Sequence, residues 1–201
     1  MRNKIWYMAL VLGIVGFIAG LGLAGVKQLT DPIIEKRIIE EGIKPSLDKY
    51  VGPIGIENDP IADRINIDLG KDDRGRKLKL TVFKGKKSGV VVTAALKTSV
   101  AGFGGNVEVL TVFDIASGKI LGAKTLSQSE TPGLGSRISD DSESFIKQFQ
   151  GMGYTNGVKL SSNGGQVDAI SGATISSGAF ADAVNNAVEL LGKHTAEIEK
   201  P

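Results

Sequence analysis

The sequence predicts an α+β domain, an antiparallel sheet with helices packed on it, behind one N-terminal transmembrane helix. Three observations predict it: a charge-free apolar run at residues 5–26, four strand-like runs between residues 77 and 126, and two later stretches with apolar residues at helical spacing. The order is helix, strands, helix, strand, helix, with no internal repeat and no low-complexity tract.

The apolar run Ile5 to Val26 has 22 residues and no charge. As a helix rising ~1.5 Å per residue it covers ~33 Å, enough for a ~30 Å hydrocarbon core. Trp6 and Tyr7 stand at its start, where amphipathic rings suit the headgroup boundary. The competing reading is a cleaved signal peptide with Gly22-Leu23-Ala24 as its cleavage site, but such apolar regions usually have only ~7–15 residues. Gly16, Gly20 and Ala24 recur at spacings of four, a small-residue stripe against which another helix packs, from a second copy or from another protein of the membrane. Arg2, Lys4 and the α-amine precede the span and only Lys27 follows closely. That bias predicts residues 1–4 as a cytoplasmic tail and places the rest of a single-pass chain on the extracytoplasmic, periplasmic side of the cell membrane.

Residues 27–76 read as a juxtamembrane helix and a connecting segment. Asp31-Pro32 is a helix start with proline in the first turn, and Ile33, Ile34, Ile38 and Ile39 form a stripe ending near Gly42. The charged stretch Asp72-Asp73-Arg74-Gly75-Arg76 fits no calcium loop and reads as a solvated turn. The remaining 77–201 is the functional domain. Runs 77–83, 88–98, 106–114 and 119–126 alternate β-branched with polar residues, and Ala116-Ser117-Gly118 turns the last pair into a hairpin. The expectation is a meander with one face buried. A helix starts at 139–143 with Phe145, Ile146 and Phe149 inward, short strands follow near 157–160 and 166–170, and Ser176-Ser177 lead into a helix through Gly192.

Composition removes several chemistries. There is no cysteine, and the one histidine, His194, lies in the charged C-terminal tail. Thiolate-bound iron–sulfur clusters, cysteine zinc sites, disulfides and Ser-His-Asp or Cys-His catalysis are therefore excluded, and no metal site or catalytic residue is expected. The charge total is 24 Lys+Arg against 22 Asp+Glu, but Arg2 and Lys4 carry the whole excess. From Lys27 onward the chain is neutral, so its basic pI is no nucleic-acid footprint.

Three glycine-bearing segments interrupt the sheet-and-helix pattern: Gly102-Phe103-Gly104-Gly105 before a strand, Glu130-Thr131-Pro132-Gly133-Leu134-Gly135 after the next, and Asp168-Ala169-Ile170-Ser171-Gly172-Ala173-Thr174 at the last helix. Glycine lets backbone N–H groups approach a flat or anionic ligand, and a helix N-terminus favours a phosphate. Taken singly they also read as a hairpin loop, a Pro-Gly turn, and a helix cap made by Ser171 or Thr174. No dinucleotide fingerprint or P-loop is present. The residues alone support a small-molecule site, with phosphate one candidate ligand.

The segment Asp168 to Thr174 resembles the D-x-x-[ST]-G-A-T flavinylation motif, ETPGLG at 130–135 resembles the second signature of the same FMN-binding domains, and GFGG at 102–105 resembles their G-[FY]-G-G turn. With one membrane helix before such a domain, the whole chain is similar to the G subunits of Rnf electron-transport complexes. The C subunits of sodium-translocating NADH:quinone reductases share both motifs but are usually longer between anchor and flavin domain.

The resemblance implies FMN joined through its phosphate to the hydroxyl of Thr174. Asp168, Ser171, Gly172 and Ala173 would be read by a flavin transferase and shape the phosphate loop. Glu130, Thr131, Gly133, Leu134 and Gly135 would meet the isoalloxazine ring, with Phe103 nearby or in the core. The implied work is electron relay from ferredoxin to NAD⁺ inside a membrane complex, coupled to sodium or proton translocation, with the other subunits as partners and no turnover by this chain alone. A non-redox, membrane-tethered binding or assembly module, with Thr174 as a helix cap only, is the alternative of a different class.

Overall fold

The computed structural model describes residues 2–71, 75, 77–141, 144–155 and 157–200. Most of the charged turn at 72–76, and Ser142 and Glu143 of the expected helix start, lie outside the described residues. The chain forms two compact units, residues 1–41 and 42–201.

The first unit is dominated by α1, Arg2–Arg37, which contains a stretch long and apolar enough to cross a bilayer by length and composition. Its large apolar side chains from Trp6 to Ile34 are exposed, as a lipid-facing helix requires. The helix does not start at Asp31-Pro32; Pro32 lies inside it. Proline removes one i→i−4 bond, and the turn before it carries two side-chain contacts. Thr30 Oγ1 donates to the carbonyl of Val26 at 2.9 Å, and Lys27 pairs with Asp31 at 3.1 Å. Beyond Arg37 the winding loosens into a π-helical stretch, Ile38–Ile43, rather than stopping at Gly42.

The second unit opens with α2, Lys44–Val51, and continues into a five-stranded antiparallel sheet in the order β1-β2-β3-β4-β5. The strands are β1 Ile65–Lys71, β2 Lys77–Lys87, β3 Val90–Ala101, β4 Asn106–Asp114 and β5 Lys119–Ser127. The β4–β5 turn forms where expected. Asp114 Oδ1 accepts from the N–H groups of Ala116 and Ser117 at 3.0 and 3.2 Å, and Gly118 takes a φ of 67°.

One expectation is overturned: the sheet is covered on both faces. On β4, Val107, Val109 and Phe113 belong to the core formed with Phe145, Phe149, Phe180, Val184 and Ala187. The alternate residues Leu110 and Val112 are also fully buried. Period two sends them to the opposite face, where α2 packs with Leu47, Tyr50 and Val51 buried. Tyr50 lies so close on β5 that a Cβ at Gly122 would overlap its ring. Gly122→Ala should therefore destabilise the domain by about 1–3 kcal/mol, measured as a lowered urea midpoint in detergent.

On the other face, α4, Thr174–Lys193, packs on β3 and β4. Thr98 Oγ1 donates to the carbonyl of Ala183 at 2.7 Å and fixes the helix on the sheet. Phe145, Phe149 and Phe180 pack edge-on or tilted with centroids 5.0 to 5.4 Å apart. The helix carrying Phe145 is the four-residue α3, Ser144–Lys147. The strands expected at 157–160 and 166–170 reduce to one bridge, Leu160 with Val167. The short α5, Thr195–Ile198, closes the unit with Ile198 buried.

Candidate functional site

Sheet topology gathers the three glycine segments. The end of β3, the start of β4 and the end of β5 lie at one end of the meander. The 102–105 turn and the 128–135 segment therefore leave the sheet side by side, and α4 begins beside them. A cavity of about 410 Å³ is lined by Phe103, Glu130, Thr131, Leu134, Gly135 and residues 172–176.

Its floor is held by Glu130, which is buried. Glu130 Oε1 accepts the N–H of Gly104 at 3.0 Å, and Glu130 Oε2 accepts the hydroxyl of Ser176. One carboxylate thus joins two of the glycine segments to the first turn of α4, directly after the third. The first turn is closed by Gly102 N–H donating to the carbonyl of Gly105 at 2.7 Å. A Cβ at Gly104 would overlap the carbonyl oxygen of Ser129, and one at Gly135 would overlap Ser176 Oγ. The glycines are required here by close approach, not only by turn conformation.

Three backbone donors of the 130–135 segment are spent within the local chain, between residues 128 and 136. Glu130 N–H donates to Gln128 Oε1 at 2.6 Å, Gly133 N–H to Ser136 Oγ at 2.9 Å, and Leu134 N–H to the carbonyl of Thr131 at 3.2 Å. Gly133 has a φ of 74°. Leu134 remains half exposed and reaches Gly172, whose Cβ position lies 3.7 Å from its Cδ2.

The 168–174 segment is anchored from behind. Gln148 grips Asp168 at two points: its Oε1 accepts the Asp168 N–H at 2.8 Å, and its Nε2 donates to the Asp168 carbonyl at 3.1 Å. Ile170 N–H donates to the buried Ser177 Oγ at 3.0 Å, and Gly172 turns the chain with a φ of 78°. The carboxylate of Asp168 and the side chain of Ser171 face outward, both residues being exposed.

Thr174 is not a cap. Ala173 occupies the N-cap position with no side-chain hydrogen bond, so Thr174 is the first helical residue. The first N–H with an intrahelical acceptor is that of Ser177, which donates to the Ala173 carbonyl. The preceding N–H groups of Thr174, Ile175 and Ser176 form an open, positively polarised helix end. Thr174 is exposed, and its hydroxyl has no partner among the described residues.

Residues 102–189 match the FMN-binding domain family. Over 196 residues the chain is 32% identical to the G subunit of the ion-translocating oxidoreductase complex of Cereibacter sphaeroides, covering 96% of this chain and 86% of that one. The chain belongs to the family of Rnf-type, ion-translocating oxidoreductase G subunits. The Stutzerimonas stutzeri member is 30% identical over 201 residues, covering 96% and 84% of the two chains. The Methanosarcina acetivorans member is 40% identical over 121 residues, covering 60% and 62%. The fold is shared with the C subunit of the Na⁺-translocating NADH-quinone reductase of Parabacteroides distasonis, at 21% identity and a TM-score of 0.50 over 78% of this chain and 84% of that one.

The G-subunit site fits FMN on its own geometry. The open end of α4 can receive a phosphate beside the Thr174 hydroxyl. Phe103, Leu134 and Ile175 are 70%, 48% and 60% exposed, an apolar mouth of the kind a flat ring covers. Among the described residues no cluster of His, Asp or Glu could hold a metal. Sequence reasoning missed Gln148, Ile175 and the bonds made by Ser176 and Ser177. A signal existed for the serines: their hydroxyls compete with helical backbone bonding, so two in a first turn suggest specific partners.

Proposed function

We propose that this chain is the flavin-carrying relay of its complex, with FMN esterified through its phosphate to Thr174 Oγ1. The observation that carries this reading is the position of Thr174: first residue of an uncapped helix, hydroxyl free, at the wall of a glycine-lined cavity. A helix cap would place that side chain on a first-turn N–H, so this geometry disfavours a purely structural threonine.

The attachment balances as group transfer. A new bond forms between Thr174 Oγ1 and the FMN phosphorus of FAD, the pyrophosphate bond breaks, AMP leaves, and the hydroxyl proton is released to a base of the transferase. No electrons move. Among the described residues no base bonds to the Thr174 hydroxyl, so a flavin transferase supplies activation and any metal. Asp168 and Ser171, exposed ahead of Thr174, are the side chains that such an enzyme can read. The resulting phosphodiester anion sits on the positive end of α4.

FMN, once bound, supplies the electron transfer. The protein holds the phosphate by the first turn of α4 and shields the ring with Phe103, Leu134 and Ile175. Electrons pass between ferredoxin and NAD⁺ within the complex, coupled to movement of sodium ions or protons. The test is direct: a chain co-expressed with a flavin transferase, denatured and run on a gel, should show a fluorescent flavin band. A dark band from that co-expression would sink the attachment reading.

The flavin domain lies on the extracytoplasmic side in this reading. Because the chain has no cysteine, a single Ser162→Cys gives a clean probe. Impermeant maleimide should label it in whole spheroplasts, whereas labelling only after lysis would reverse the orientation.

A further inference from the structure

We propose that Glu130 is the positioning residue of the flavin site and that its buried charge lowers the reduction potential of the attached flavin. The proposal rests on the reading that FMN occupies this cavity at Thr174. Its own observation is the tie made by one carboxylate, Oε1 to the N–H of Gly104 and Oε2 to the hydroxyl of Ser176, in a residue only 6% exposed.

The tie decides where Thr174 points. Ser176 is two residues beyond Thr174 in the same first turn of α4. Fixing its hydroxyl fixes the rotation of that turn and hence the direction in which the Thr174 side chain leaves the helix. The other end of the tie holds the 102–105 turn, which brings Phe103 to the cavity. The space around the carboxylate admits nothing larger: a Cβ at Gly102 would overlap Oε1, and one at Gly135 would stand 2.8 Å from Oε2. At Gly102 the nearest obstacle is the carboxylate itself, and at Gly135 it is the Ser176 hydroxyl that the carboxylate holds.

The same group acts on the flavin by charge. Glu130 forms part of the cavity wall, where water screens poorly and a charge acts over a longer range than at the surface. Reduction adds electrons to the ring. A fixed negative charge beside it opposes that step and moves the midpoint potential in the negative direction. Position and charge separate in two substitutions. In Glu130→Gln, the amide oxygen still accepts from Gly104 N–H and the amide nitrogen can donate to Ser176 Oγ, so geometry persists without the charge. Glu130→Ala removes both.

The experiment uses the full chain co-expressed with a flavin transferase and purified in detergent. Attached flavin per chain is read from gel fluorescence, and the midpoint potential from a redox titration of the flavin that remains attached. Glu130→Ala should lose attached flavin about fivefold or more, since small misplacements of a reacting group are costly. Glu130→Gln should recover part of that loss, and its flavin should titrate at a more positive potential than wild type. Wild-type flavin content in Glu130→Ala, or a wild-type potential in Glu130→Gln, overturns the proposal. If Glu130→Ala does not accumulate as folded protein, the potential of Glu130→Gln decides alone. A fluorescent band retained by Thr174→Ala would instead overturn the attachment reading, a failure distinct from either outcome at Glu130.

Discussion

Thr174→Ala should give a folded, membrane-inserted chain with no covalent flavin. The side chain is exposed and its hydroxyl has no partner among the described residues. Its removal should change stability by no more than about 0.5 kcal/mol, the usual range for surface substitutions. Attachment should be lost because the two hydroxyls that follow it in the first turn of α4 are both engaged. Ser176 Oγ is held by Glu130, and Ser177 Oγ is buried and accepts the N–H of Ile170. Thr174→Ser keeps the nucleophile and should keep fluorescence in part. The check is gel fluorescence normalised to protein, beside thermal unfolding of the same samples. Fluorescence persisting in Thr174→Ala, or unfolding of that variant, would contradict the assignment.

The second large effect is expected at Gly104. A Cβ there would overlap the carbonyl oxygen of Ser129 and lie 3.0 Å from its carbonyl carbon and 3.3 Å from Glu130 Cα. These are backbone atoms, so relief requires moving the whole 128–131 segment and stretching the Gly104 bond to Glu130. Gly104→Ala should therefore reduce attached flavin by about tenfold, as misplacement of a reacting group does, and lower stability by about 1–3 kcal/mol. Gly133→Ala is the informative contrast. Its Cβ would meet nothing within 4 Å, so only its φ of 74° resists substitution. That conformational cost is about 1–2 kcal/mol, and its effect on flavin content should be much smaller.

These expectations rest on contacts that differ in how visible they are from sequence. The hairpin of β4 and β5 is legible because β-branched alternation and a short glycine turn are local signals. The Asp168 to Thr174 segment is legible for the same reason, since it is contiguous. The 128–135 segment and the 102–105 turn can be recognised as glycine-bearing, but their meeting depends on strand order. Glu130 shows the limit: its role follows from Gly104 and Ser176, which lie 26 and 46 residues away.

Other misses have equally local causes. β1 carries a register shift between Asp68 and Gly70, which breaks the alternation a reader would count. α2 is only eight residues long, too short for a persuasive period, yet it buries the second sheet face. Gly42 reads as a helix end, but it also permits close packing, with its Cβ position 2.9 Å from Leu126 Cδ2. The run expected as a strand at 157–160 is diverted by the Gly164-Gly165 turn, where Gly165 N–H donates back to the Leu160 carbonyl at 2.9 Å.

The most direct measurement is the mass of one peptide. Trypsin should release Leu160 to Lys193, which contains Thr174 and no internal lysine or arginine. In chain purified from its own membrane, this peptide should be heavier by one FMN less one water, with fragmentation placing the addition on Thr174. An unmodified peptide, or the same mass on another residue, would contradict the account.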